Sequence, residues 1–129
     1  MEFLHTDKAP AAIGPYSQAV KVNGLLYTSG QIALTVDGVM IENDIKKQTR
    51  QIFENITAIL EDNSSSLQDI IKINIFLTDM KDFGIVNVLM AEAFGEHKPV
   101  RSTVEVKGLP KNAMIEMDVI AKPKDHHSI

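Results

Sequence analysis

Near its C-terminal end the chain sets an arginine, hydroxyls and carboxylates at alternating positions, in VRSTVEV (100–106) and MIEMDVIA (114–121). Alternation at period two reads as strands. In the first, Arg101, Thr103 and Glu105 share one face, and Val100, Ser102, Val104 and Val106 the other. In the second, Met114, Glu116, Asp118 and Ile120 lie opposite Ile115, Met117, Val119 and Ala121. The short KGLPKN turn between them predicts that the two strands pair as neighbours. If Glu116 shares the face of Arg101 and Thr103, a guanidinium, a hydroxyl and a carboxylate converge within a few strand spacings. Two readings of that set stand open. A cross-strand Arg–Glu pair is an ordinary structural ion pair on the wet face of a half-buried sheet. Facing a pocket, the same guanidinium is a bidentate receptor for a small carboxylate. Asn87 poses a similar choice on the helical stripe of Phe83, Val86, Met90 and Phe94: its carboxamide either ties down a buried backbone group or faces a polar cavity.

The other reactive residue types mainly exclude chemistry. Without cysteine the chain has no disulfide, thiolate nucleophile or Cys-based zinc site. His5, His97, His126 and His127 form neither an i, i+4 pair nor a His-x-Glu cluster, so no metal is expected. No P-loop, GxSxG or GxGxxG occurs, so no cofactor is expected either. A net charge of −4 with dispersed Lys and Arg gives no electrostatic footprint for nucleic acid or for an anionic membrane. The polar start MEFLHTDKAP and the absence of an apolar run near the ~18 residues of a membrane span make the cytoplasm the default location.

The elements that must carry these residues follow from the patterning. With 129 residues, 44% hydrophobic and 23% charged, the chain suits one globular domain over 1–129. Strands are predicted at Glu2 to Leu4, Ala19 to Val22, Leu25 to Ser29 and Gln31 to Thr35, with Asn23-Gly24 as a hairpin turn. A helix runs from an Asn43 cap to about Asp62, with Ile45, Ile52, Phe53, Ile56, Ile59 and Leu60 on one stripe. Ile70 to Leu77 is a central strand with Ile71, Ile73, Ile75 and Leu77 on one face and Lys72, Asn74 and Phe76 on the other. A second helix, capped by Asp79 or Asp82, ends at Gly95. The order predicts an α+β fold: a single mixed β-sheet with two helices packed on one face. The uncovered face then calls for other copies of the chain.

Together APAAIGPYSQAV, LLYTSGQIAL, QTRQIFENITAIL, DIIKINIFLTDMKDFGIVNV and RSTVEVKGLPKNAMIEMDVIA resemble the YjgF-type reactive intermediate deaminase (Rid) family, from about Ala9 to Ala121. The resemblance implies a chorismate-mutase-like fold, a homotrimer with clefts between subunits, and hydrolysis of 2-imino acids or their enamine tautomers, such as 2-aminoacrylate and 2-iminobutyrate, to 2-keto acids and ammonia. It implies that Arg101 holds the substrate carboxylate, that Glu116 positions and activates water, and that Tyr16, Ser29, Gly30 and Asn87 line the cleft. Thr103 stands where many members have cysteine; hydrolysis by water needs no protein nucleophile. Between Glu96 and Arg101 this chain has only HKPV, whereas deaminase members usually have a few more residues, often with an aromatic before the proline. A ribonuclease or translation inhibitor, a label some relatives bear, conflicts with the acidic charge and the lack of paired catalytic histidines. A non-catalytic carboxylate sensor would keep the same arginine and stays open.

Overall fold

The computed structural model describes residues 1–125, so His126 and His127 lie outside the described residues. Six strands form one sheet: β1 (Glu2–Leu4), β2 (Ala19–Val22), β3 (Leu25–Thr28), β4 (Ile70–Leu77), β5 (Val100–Glu105) and β6 (Ile115–Ala121), in the spatial order β1-β2-β3-β6-β4-β5. Only β4 and β5 run parallel; the other pairings are antiparallel, so the sheet is mixed as expected. Asn23 (φ 50°) and Gly24 (φ 79°) both take the left-handed conformation that a tight two-residue hairpin needs.

Two helices, α1 (Ile45–Glu61) and α2 (Phe83–Phe94), cover one face. The cap of α1 is Asp44, one residue past the expected Asn43; its carboxylate accepts the Lys47 N–H at 3.0 Å. Ile52, Ile56 and Leu60 of α1 and Val86, Met90 and Phe94 of α2 pack on Ile73, Ile75 and Leu77 of β4 and on Ile115, Met117 and Val119 of β6. Each such side chain contributes roughly 1.5–3 kcal/mol by leaving water. Phe53 and Phe94 lock the helices together edge to face, with ring centroids 5.8 Å apart.

Three expectations are corrected. Gln31 to Thr35 forms no strand: it makes isolated bridges, Gln31 to Met117 and Leu34 to Met40, and the Asn55 carboxamide of α1 supplies a donor to the Leu34 carbonyl at 2.9 Å. On β4, a register shift between Ile70 and Lys72 turns Ile70 inward and leaves Ile71 exposed. Most consequentially, the last two strands do not pair. β4 lies between them, paired parallel with β5 through the α2 crossover and antiparallel with β6 on its other edge. The intervening chain, with Lys111 (φ 56°) and Asn112 (φ 56°) both left-handed, steps across β4 instead of turning back beside β5.

The second face is bare in this chain. Val100 and Val104 of β5, Phe76 of β4, Ile120 of β6 and Tyr27 of β3 share it, as the register shows. Among the described residues no helix is long and apolar enough to cross a membrane.

Candidate functional site

Register decides where the polar side chains of β5 and β6 point. Arg101 is aligned with Ile73 and Thr103 with Ile75, so both lie on the face that the helices cover. Glu116 is aligned with Phe76, on the bare face. The expected convergence of Arg101, Thr103 and Glu116 on one face therefore fails within a single chain: one pleated strand lies between them, and three residues along it reverse the side-chain direction. The candidate residues instead divide into two clusters.

The first cluster surrounds Glu116. The segment from Pro10 to Tyr16 forms one wall, bent by Gly14, whose φ of 122° is open only to glycine without strain. Buried Gln18 holds this wall in place. Its Oε1 accepts the Thr6 N–H at 2.7 Å, and its Nε2 donates to the carbonyls of Thr6 at 3.1 Å and Pro10 at 2.8 Å. The Gln18 carbonyl in turn accepts the N–H of Ser29 at 2.8 Å and its hydroxyl at 3.1 Å. Reciprocal backbone bonds between Gln31 and Met117, at 2.7 and 3.0 Å, then press Gly30 against Glu116. A Cβ at position 30 would lie 2.7 Å from Glu116 Oε2 and 2.8 Å from its Cδ, so only glycine leaves room for the carboxylate where it stands.

Tyr16, Ser29, Gly30 and Glu116 thus face one cavity of about 390 Å³, whose other walls include Pro10 and Ile13. Glu116 is half-buried there, and among the described residues no side chain or backbone donor binds its carboxylate. Burial pushes this carboxyl above the ordinary Glu range, and the charge of neighbouring Asp118 adds to the shift. A carboxylate that is poorly solvated and unoccupied by donors is available to take a proton from water.

The second cluster lies between α2 and β5, the strand at the end of the sheet. Arg101 donates to Asn87 Oδ1 at 2.5 Å and lies 3.6 Å from Met90 Sδ. Its Cζ sits 5.1 Å from the centre of the Phe83 ring, a cation–π contact. These contacts engage one edge of the guanidinium and leave further donors of its fork for an anion. The Thr103 hydroxyl, two positions along β5 on the same face, is buried and has no hydrogen-bond partner among the described residues. A cavity of about 490 Å³ opens beside Arg101, walled by Asn87, Met90, Phe94, His97 and Lys98. Glu105, on this face too, instead accepts the Met80 N–H at 2.8 Å at the start of the α2 region.

Asn87 faces the cavity and Arg101, the polar-cavity alternative of the two that its sequence position left open. Gln18, Phe83 and Met90 also belong to the two clusters, though their sequence positions carry no signal for a site. Gln18 is a buried carboxamide whose role depends on chain segments brought together by the β1–β2 and β2–β3 pairings. Phe83 and Met90 were legible only as an apolar stripe, and the guanidinium lying against them comes from another element. His5 bonds Asp7 at 2.9 Å, away from both clusters.

The family model described as endoribonuclease L-PSP matches residues 6–122. A RutC family protein of Pyrococcus horikoshii, PH0854, is 50% identical over 121 residues, covering 93% of this chain and 96% of that protein. Among solved structures, a Rid family protein from Yersinia pestis, YyfA, superposes with a TM-score of 0.92 at 47% identity, covering 94% of this chain and 98% of that one. Escherichia coli TdcF with bound serine superposes with a TM-score of 0.90 at 38% identity, covering 96% of this chain and 100% of that one. The strand order, the helix-covered sheet and the match over nearly the whole length agree, and the chain belongs to the endoribonuclease L-PSP family, the group that includes the YjgF, RutC and Rid proteins.

Proposed function

We propose that this protein hydrolyses small 2-imino acids, or their enamine tautomers, to 2-keto acids and ammonia, in a cleft completed by a second copy of the chain. The observation that carries this reading is the division of the site. A free carboxylate with a raised pKa stands on one face of the sheet, and an arginine fork with unused donors stands on the other. Each half lacks what the other has. A head-to-tail contact that sets the Arg101 side of one copy against the Glu116 side of the next would complete a site and cover the bare apolar face, and a closed ring of three copies does this with no half left over. The E. coli relative's bound serine, a small amino acid with a carboxylate and an amine, fits the same substrate class.

In the completed cleft the Arg101 fork takes the substrate carboxylate and fixes the C=N carbon. Charge-assisted bonds of this kind are worth about 1.5–3 kcal/mol each. Glu116 accepts a proton from water as its oxygen bonds to that carbon, giving a carbinolamine. Glu116 hands that proton to the nitrogen, which makes the carbinolamine neutral, and then carries the hydroxyl proton to the nitrogen as the C–N bond breaks, so that ammonia leaves and the C=O bond forms. General-base assistance of this sort contributes typically 10²- to 10⁴-fold. The Thr103 hydroxyl, the Tyr16 phenol and the Gly30 N–H are the donors available for positioning. Ribonuclease action is disfavoured by the charge of −4 and by a carboxylate inside the cavity, both of which repel a phosphodiester backbone.

The test generates 2-iminobutyrate in place with a threonine dehydratase and follows release of 2-ketobutyrate. Acceleration by this protein is expected. None at any pH from about 7 to 9 would replace the enzyme by a non-catalytic carboxylate sensor. Light scattering should give a trimer mass, and a stable monomer at micromolar concentration would remove the shared cleft.

A further inference from the structure

The cavity beside Arg101 holds more positive charge than one carboxylate requires. Arg101 and Lys98 both line it, and among the described residues no Asp or Glu does. Among the described residues neither Lys98 nor Arg101 enters an ion pair, although the chain as a whole is acidic.

Lys98 is exposed, but the backbone that presents it is pinned at successive points. Helix α2 ends at Gly95, whose φ of 60° reverses the chain and whose N–H still donates to the Ala91 carbonyl at 3.0 Å. The His97 N–H donates to the Phe94 carbonyl at 3.1 Å. The His97 ring packs on Phe94 with centroids 5.9 Å apart, and its Nε2–H donates to the Ile70 carbonyl at 2.7 Å. Pro99 then restricts the backbone immediately before β5 begins at Val100. The connector is therefore a short brace between α2, β4 and β5. It places Lys98 in the wall of the cavity that Arg101 also lines.

We propose that Lys98 is a second carboxylate receptor, and that the favoured substrates are 2-imino acids bearing an additional carboxylate on the side chain. This rests on the reading of Arg101 as receptor for the first carboxylate. A planar fork suits the carboxylate whose orientation sets the chemistry. An ammonium on a flexible stem suits a second one whose distance varies with side-chain length. With both engaged, the C=N carbon lies between two anchors and cannot rotate about the first.

Calorimetry with two keto acids of equal chain length, 2-ketoglutarate and 2-ketopentanoate, tests the assignment. Wild-type protein at low salt should bind the diacid about tenfold more tightly, and the preference should shrink as salt screens the exposed ammonium. Lys98→Gln should bring the ratio of the two affinities to about one, and Lys98→Arg should restore most of it. Equal affinities in the wild type, or an unchanged ratio in Lys98→Gln, would overturn the role of Lys98 and leave the Arg101 reading standing. Failure of both acids to bind wild-type protein would overturn the Arg101 reading and this proposal together.

Discussion

The two halves of the candidate site are built by opposite means. The Glu116 half is a pocket of loop segments: the wall from Pro10 to Tyr16 and the Ser29–Gln31 passage, tied together through Gln18 and backed by β6. The Arg101 half rests on regular structure, a strand end and a helix stripe, with the guanidinium laid between Asn87, Met90 and Phe83. One half keeps donors away from an acid, so that its proton is held tightly. The other props up a cation that is always charged and needs only orientation. A carboxylate gains reactivity from an apolar enclosure, and a guanidinium gains selectivity from rigid neighbours. The sheet lies between the halves, so under the proposed function their union falls to association between copies.

Substitutions that separate base from receptor break this comparison most sharply. Glu116→Gln keeps size and hydrogen bonding but removes the base, so turnover should fall by about 10² or more while 2-ketobutyrate affinity measured by calorimetry stays nearly intact. The same change should stabilise the fold at neutral pH. A carboxyl whose folded-state pKa is raised binds its proton more tightly when folded, so stability is lost as pH rises past the ordinary Glu range. Thermal melts of wild type and Glu116→Gln should therefore differ at pH 7 and converge in acid. Full turnover in Glu116→Gln would move the base elsewhere, with Tyr16 next.

Arg101→Lys should lower keto-acid affinity and turnover together, by about tenfold or more, because a point charge cannot hold a carboxylate in one plane. Mixing and refolding Glu116→Gln with Arg101→Lys should recover activity above either parent, since some interfaces then join two intact halves. Equal activity before and after mixing would place the whole site within one chain.

Gly30→Ala sharpens the loop-built half. Its backbone φ is not positive, and the crowded atoms are the end of the Glu116 side chain. The melting temperature should hardly move while turnover falls about tenfold or more, the cost of a displaced catalytic group. A loss of stability matching the loss of rate would mean that Gly30 serves packing alone.

Thr103→Cys should leave activity within about tenfold, because the loss of one neutral hydrogen bond costs about 1 kcal/mol. A covalent adduct on Thr103, or a fall of several orders of magnitude, would make this residue a nucleophile. The smallest effect is expected from Asp118→Asn, which retains an acceptor for the Asn74 side chain, now 2.8 Å from Asp118 Oδ1. Removing the Asp118 charge lowers the Glu116 pKa, so the acid limb of the rate profile should move to lower pH.

Patterning along the chain determined most of the elements. The Asn23-Gly24 hairpin, the apolar stripes of both helices and the alternation of β4 depend on residues close in sequence, and local periodicity carries that information directly. Candidate site residues could be named from the sequence too, because motifs such as GPYSQ, TSGQ and VRST keep their residues together. What tertiary structure decided was which of them meet. Pairing β5 with β4 through a helical crossover, and β6 with the opposite edge of β4, put Arg101 beneath the helices and Glu116 on the bare face. Alternation cannot tell which strand lies beside which, since every pairing with the right parity buries the same apolar residues. Gln18 is the same lesson at smaller scale: its type and position were visible, but its bonds to Thr6 and Pro10 exist only once the chain has folded back.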